Sequence, residues 1–168
     1  MAELAIFLID HFLFGVETTQ IQEILTVQSS DFSEKTDPAL PFELLQYRQS
    51  SVPVFDLRRR FCLSPRRASV LHQEFSAPLV TFCSDGLLTA CDVTSVEDII
   101  PVSPRFLKSV PVILTGIACD IHVWGFYETP GALLPLIDLE HVISHQEIEL
   151  YREFLSGLPG EPGSKRII

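Results

Sequence analysis

The chain has 168 residues, a formal net charge of −10 and an apolar fraction of 46%. These totals fit one folded domain or two small subdomains, and the acidic balance argues against nucleic acid or an anionic membrane surface as a partner. No apolar run approaches the ~20 residues of a membrane span and no secretory signal is recognisable, so we expect a cytoplasmic protein without direct membrane insertion.

The first third of the chain predicts a β-hairpin followed by a helical turn. Two short apolar runs, Ala5–Ile9 and Phe12–Val16, flank a polar dipeptide, which is typical of a hairpin. Gly15 inside the second run indicates a bulge or a close backbone approach. Apolar residues then recur at helical spacing behind a threonine cap (Thr18 or Thr19), at Ile21, Ile24 and Leu25.

The stretch from Val52 to Phe61 is the centre of the sequence. Val52 and Val54 point to one side of a strand and Phe55 and Leu57 to the other, which predicts a strand buried between two layers. Proline cannot donate to a ladder, so the N–H side of Pro53 is expected to lie at an edge or a bulge. Asp56 suits the N-cap of a helical turn, in which Arg58, Arg59 and Arg60 are expected to be mostly solvated.

The second half predicts more strands and one helix. Asp85-Gly86 between Leu79–Cys83 and Leu87–Val93 is a strong hairpin signal. Val110–Ala118 and Ala132–Leu139 are expected to form a further strand pair. Between them lies an unusual segment, Asp120–Gly131, which carries Trp124, Phe126 and Tyr127.

Only the end of the chain predicts a long helix. Ser144 with Glu147 three residues later forms a capping box, and an apolar stripe follows up to Gly157 and Pro159. Many short strands and little helix favour an all-β barrel or sandwich. We expect one domain over residues 1–159, made of two β subdomains, and a flexible tail over residues 160–168.

Basic residues are unevenly distributed, and no catalytic pattern is present. Six of the twelve lysines and arginines fall within about twenty positions, which indicates either a positive patch for an acidic partner or a solvated face: Arg48, Arg58, Arg59, Arg60, Arg66 and Arg67. No nucleophile, phosphate-binding, dinucleotide-binding or metal motif is found, so we predict no enzyme activity, no cofactor and no metal site. His141 and His145 are four apart, but the candidate cap Ser144 separates them.

The four cysteines show neither CxxC pairing nor the spacing of a disulfide framework. In a chain of this size they are expected to be reduced thiols in the core, at Cys62, Cys83, Cys91 and Cys119.

The order of the segments resembles the CheW family, the adaptors of bacterial chemotaxis arrays. The most specific segment is Val52-Pro53-Val54-Phe55-Asp56-Leu57-Arg58, preceded by Tyr47-Arg48 at the family's spacing, with Gln49 where the family has glycine. Weaker matches in the same order are Phe14–Val16, Ile21–Ile24, Cys91–Val93, Thr115–Ile117 and Leu136–Glu140. The resemblance covers roughly Ala5 to Ser144, within which Asp120–Gly131 is an insertion relative to the simplest members of the family.

This resemblance implies two small, five-stranded, SH3-like barrels that share a core, followed by the C-terminal helix. It also implies a non-enzymatic adaptor that couples the cytoplasmic tip of a methyl-accepting chemoreceptor to the regulatory domain of a CheA-type histidine kinase. Carried over by position, the protein-binding residues are Ile21, Glu23, Arg48 and Ile99, to which we add Trp124 as a candidate for a new contact.

Several alternatives remain at this point. Arg48 and Glu23 could form an ion pair that holds the barrels together, and Ile21 could be core. The chain could serve a related pathway that controls pili or development. It could instead be a β-barrel that binds a small ligand in an enclosed cavity, or a cysteine-dependent enzyme with a thiol of strongly depressed pKa beside a histidine.

Overall fold

The structure is a computed structural model that describes residues 2–33, 37, 39–63 and 77–157. Its described strands form a six-stranded and a five-stranded sheet. The strands are β1 (Glu3–Ile9), β2 (Phe12–Glu17), β3 (Ile21–Val27), β4 (Phe42–Tyr47), β5 (Ser50–Phe55), β6 (Ala77–Ser84), β7 (Leu87–Asp92), β8 (Ser95–Pro101), β9 (Leu107–Ser109), β10 (Val123–Thr129) and β11 (Ala132–Ile137). The helices are α1 (Leu57–Arg60), α2 (Thr115–Asp120), α3 (Leu139–Val142) and α4 (His145–Ser156). Short 3-10 turns cover Thr18–Gln20, Ser29–Asp31, Pro104–Phe106 and Val112–Leu114.

Each sheet combines hairpins with one parallel contact. The six-stranded sheet has the order β8-β1-β2-β11-β10-β9 and the five-stranded sheet the order β3-β6-β7-β5-β4. The parallel contacts are β2 with β11 and β5 with β7. The contact between β2 and β11 brings the first and last parts of the chain into one sheet, and the contact between β5 and β7 joins the two hairpins β4–β5 and β6–β7. The two-barrel, all-β architecture is confirmed, with one barrel larger by the three-residue strand β9.

Strand β5 lies between the two apolar layers that its sequence predicts. Val52 and Val54 pack inside the five-stranded sheet, whereas Phe55 and Leu57 pack into a core that both sheets share. Asp56 caps α1 through a hydrogen bond from the Arg58 backbone N–H, 2.9 Å long. Strand β5 is an inner strand, but its pairing with β7 involves Val54 and Phe55 and not Pro53.

Helix α4 covers the shared core. Its capping box forms as predicted, with Ser144 and Glu147 satisfying each other's backbone N–H groups. Ile148 and Tyr151 are buried, and the Tyr151 hydroxyl donates to the carbonyl of Ser51, 2.6 Å away. The helix therefore docks on the strand around which the fold is built. The predicted tail lies outside the described residues.

Two segments differ from their predicted structure. The expected helical turn at Ile21–Leu25 is instead β3, which pairs with β6 with a register shift between Ile21 and Glu23. Burial alternates along the strand, so that Ile24 is exposed and Leu25 is half-buried. The expected strand at Val110–Ala118 is a 3-10 turn followed by α2.

The supposed insertion, Asp120–Gly131, contains β10, an inner strand between β11 and β9. Its Tyr127 is buried, so it belongs to the fold rather than to an appended loop.

Two glycines meet specific backbone or packing requirements. Asp85 and Gly86 have φ of 51° and 73°, as a two-residue hairpin of the predicted type requires. At Gly15 an added Cβ would lie 2.7 Å from Cδ2 of Leu136, so the close approach at this glycine is to a side chain. That approach occurs where β2 pairs with β11.

Candidate protein-binding surface

A polar cluster joins the two edge strands of the five-stranded sheet. Glu23 on β3 accepts a hydrogen bond from the Tyr47 hydroxyl through one carboxylate oxygen. Its other oxygen lies 2.8 Å from Nη2 of Arg48, in the β4–β5 turn. The Arg48 guanidinium carbon also stacks 4.8 Å from the centre of the Tyr47 ring. We call Glu23, Tyr47 and Arg48 the Glu23 cluster.

The electrostatics of the Glu23 cluster favour the ionised carboxylate. The hydrogen bond from Tyr47 lowers the pKa of Glu23, and the charge of Arg48 adds to that effect against partial desolvation. The same hydrogen bond raises the pKa of Tyr47. The predicted ion pair between Arg48 and Glu23 is present. It lies within the five-stranded sheet, so it does not hold the two barrels together. The Arg48 side chain is still 70% exposed, so it remains accessible to a partner.

The turn that carries Arg48 has an uncommon backbone. Arg48 and Gln49 have φ of 46° and 65°, in the left-handed region that favours glycine. Gln49 is the position where the resemblance led us to expect glycine. The turn directs the backbone back from β4 into β5 and presents Arg48 beside the end of β3.

The other predicted contact residues lie in different places. Ile21 begins β3 and is half-buried, because it packs against the shared core. Ile99 on β8 and Trp124 on β10 are exposed, but both belong to the six-stranded sheet. Sequence reasoning missed Ile24, which it assigned to the inner side of a helix and which is exposed on edge strand β3.

A second exposed surface was missed by sequence reasoning. Val112 and Ile113 are 91% and 89% exposed, and Leu114 and Ile117 follow them on the surface. We call these four residues the apolar segment. Exposed apolar groups of this extent in one stretch are typical of interaction sites. The apolar run had predicted a strand. Apolar residues in sequence do not show whether a neighbouring element covers them, so their exposure could not be predicted.

The predicted positive patch does not form from the described arginines. Arg58 is buried, with Nη1 2.9 Å from Asp92 and Nε 3.1 Å from Asp10. Arg60 pairs with Glu147 and Arg48 with Glu23. The solvated position expected for Arg58 is wrong, because carboxylates from two other strand ends surround it. Arg66 and Arg67 lie outside the described residues.

The cysteines and the barrel interiors bear on the alternative functions. Of the four cysteines only Cys91 is in the core, so the expectation that all are buried is wrong. Burial raises the pKa of Cys91 well above its usual value, the opposite of an activated nucleophile. Buried apolar side chains from the strands occupy the interior of each barrel, which is the space that a small ligand would need.

Two packed β barrels with exposed apolar residues and a polar cluster at one barrel edge define a small protein-interaction module. The sequence matches the CheW-like domain family over residues 3–103, so the chain belongs to that family. The structure is also similar to the scaffolding protein TtCheW from Thermoanaerobacter tengcongensis, with a TM-score of 0.65 and 20% sequence identity. That similarity covers 84% of this chain and 91% of the other. A search of curated proteins returned no match. Among the described residues, no helix is long and apolar enough to cross a membrane.

Proposed function

We propose that the chain is a non-enzymatic adaptor of a chemotaxis-type pathway, which couples the helical tip of a chemoreceptor to the regulatory domain of a CheA-type histidine kinase. Membership of the CheW-like domain family supports this proposal. The observation that carries it is the presence of accessible surface on both barrels: the Glu23 cluster on one, and Ile99 on the other. An adaptor needs two such surfaces, because both partners are held at the same time.

The chemistry of the two surfaces suits contact with other proteins. Arg48 can donate to the carbonyls or carboxylates of a helix while its stem covers apolar surface. Ile24 is exposed on the edge strand next to this cluster and supplies apolar contact area. Ile99 lies on β8, an edge strand of the other sheet, and adds an exposed apolar side chain there.

A pull-down with a purified receptor fragment and a kinase regulatory domain tests the proposal. We expect Glu23→Ala and Arg48→Ala to weaken the three-component assembly with receptor and kinase, and Ile99→Ser to weaken receptor binding. Gln46→Ala, an exposed position on β4 outside the Glu23 cluster, is the control and should bind like the wild type. Wild-type binding by all three test variants, at unchanged folded content by circular dichroism, would contradict the proposal.

A further inference from the structure

A β-bulge interrupts strand β3 directly before Glu23. Ile21 pairs with Phe82 on β6, and Glu23 pairs with Thr81, the residue just before Phe82. Two steps along β3 therefore correspond to one step along β6, and Gln22 is the extra residue. Such a bulge changes which face of the sheet the next side chains occupy, because side chains alternate along a strand with a period of two.

The bulge allows Ile21 and Glu23 to face different sides of the sheet. Ile21 packs against the shared core, to which its partner Phe82 also belongs. Glu23 instead reaches the Tyr47 hydroxyl, and Tyr47 packs with Leu25 on the apolar cluster inside the five-stranded sheet. In a regular strand, Ile21 would lie on the same face as Glu23 and Leu25, away from the shared core.

The hydroxyl of Thr81 forms two hydrogen bonds with the backbone of Glu23 at this bulge. Its Oγ1 accepts from the N–H of Glu23 at 3.0 Å and donates to the carbonyl of Glu23 at 3.1 Å. A hydroxyl has one proton to donate and lone pairs to accept with, so both bonds can form at once. Thr81 is only 2% exposed, so its hydroxyl is shielded from water. A side chain without a hydroxyl would leave both backbone groups of Glu23 without this partner.

A second buried threonine of the same sheet provides a comparison. Thr89 on β7 is 0% exposed, and its hydroxyl donates to the carbonyl of Phe82, 3.2 Å away. That hydrogen bond lies within the β6–β7 hairpin, whose register is unbroken, and it does not involve the Glu23 cluster. The two hydrogen bonds of Thr81, in contrast, are both made to Glu23 itself.

We propose that Thr81 is a positioning residue for the Glu23 cluster: its hydroxyl fixes the bulge of β3 and thereby directs the Glu23 carboxylate toward Tyr47 and Arg48. Thr81 is too buried to contact a partner, so its effect on binding acts through Glu23. That effect rests on the proposed function, whereas the positioning of Glu23 can be measured without a partner.

Nuclear magnetic resonance of Thr81→Val tests the positioning directly. Valine is branched like threonine but has no hydroxyl, so hydrogen exchange at the Glu23 amide should accelerate at least about tenfold relative to the other amides of β3. The pKa of Glu23, which the hydrogen bond from Tyr47 lowers in the wild type, should rise toward its ordinary value. Thr81→Ser keeps the hydroxyl and should retain both wild-type readouts. The control Thr89→Val should also leave both unchanged.

The assembly with the receptor fragment and the kinase regulatory domain gives the second measurement. Thr81→Val and Glu23→Ala should weaken it by a similar factor, and the double variant should weaken it no further, because one residue acts through the other. If Thr81→Val does not fold, Thr81→Ala removes the same hydroxyl and gives the same readouts.

Three results would overturn the proposal. One is wild-type exchange and pKa of Glu23 in Thr81→Val. Another is an equal change in Thr89→Val, or a failure of Thr81→Ser to retain the wild-type values. The third is wild-type assembly by Thr81→Val where Glu23→Ala weakens it. If Thr81→Val changes both resonance readouts but Glu23→Ala assembles like the wild type, the positioning of Glu23 is supported and the proposed function is contradicted.

Discussion

At the scale of single residues, Arg58 decides how the family signature is to be understood. Its guanidinium meets Asp92, at the end of β7, and Asp10, in the β1–β2 turn, so one side chain joins both sheets. The arginine that ends the signature is thus a structural residue rather than a partner contact. Removing one member of a buried ion pair leaves an uncompensated charge, which costs more than the pair itself contributes.

We therefore expect Arg58→Ala to lower the free energy of unfolding by about 3–5 kcal/mol, measured by urea denaturation. The neighbouring Arg59→Ala is the control, because Arg59 is exposed and its loss should change stability by less than about 0.5 kcal/mol. Equal effects of the two substitutions would show that the contacts of Arg58 with Asp92 and Asp10 do not stabilise the fold.

The lowered pKa of Glu23 predicts a pH dependence. A carboxyl group whose pKa is lower in the folded than in the unfolded state stabilises the fold above its unfolded pKa. That contribution is lost as the pH falls through the folded value, which lies below 4.5. Wild type should therefore be more stable than Glu23→Gln at neutral pH, and the two should converge on acidification. Thermal denaturation at each pH gives the two stability curves. Curves that stay parallel across this range would contradict the lowered pKa of Glu23.

At the scale of elements, the β4–β5 turn carries backbone strain. Both Arg48 and Gln49 have positive φ, where a side chain costs free energy and glycine does not. Gln49→Gly should raise the free energy of unfolding by about 1 kcal/mol, because it relieves this strain. Gln49→Ala keeps a Cβ and should give no such gain in the same denaturation experiment. A loss of stability in Gln49→Gly would mean that chain entropy outweighs the strain.

The parallel contact between β2 and β11 depends on Gly15. A Cβ at this position meets the buried side chain of Leu136 at 2.7 Å, and Leu136 has little room to move inside the sheet. Gly15→Ala should therefore destabilise the protein by about 1–3 kcal/mol in chemical denaturation. In α2, Gly116→Ala meets no atom within 4 Å and should be neutral or slightly stabilising. If both variants unfold at the same denaturant concentration as wild type, the contact is not tight.

How far the sequence predicts the elements depends on whether the signal is local. The two-sided apolar pattern of β5, the Asp85-Gly86 turn and the Ser144 capping box are local, and all three predictions are confirmed. Strand β3 was misassigned because Ile21, Ile24 and Leu25 fit the helical period, whereas its pairing with β6, a distant strand, makes the segment a strand. The burial of Arg58 likewise depends on acidic residues that are more than thirty positions away in the sequence.

The same distinction applies to the candidate site. The resemblance had selected Glu23 and Arg48, and the fold brings them together. The exposure of the apolar segment was not predictable, since it depends on which elements fail to cover residues 112–117. Exposure is a property of the assembled molecule, and hydrophobicity along the chain does not report it.

At the scale of the whole molecule, an adaptor must hold its partners on separate surfaces. The Glu23 cluster lies on the five-stranded sheet, whereas the apolar segment follows β9, an edge strand of the six-stranded sheet. If each surface binds a different partner, damage to one should leave binding at the other intact. A shared surface would instead couple the two losses.

The double variant Val112→Ser/Ile113→Ser tests this separation. Because both side chains are already in solvent, its thermal midpoint should equal that of wild type. Each apolar side chain that a partner fully buries contributes about 1.5–3 kcal/mol, so the double variant should bind that partner at least about tenfold more weakly. Surface plasmon resonance with each partner measured separately gives the readout. A variant that keeps both affinities would exclude the apolar segment from the assembly, and one that loses both equally would contradict separate surfaces.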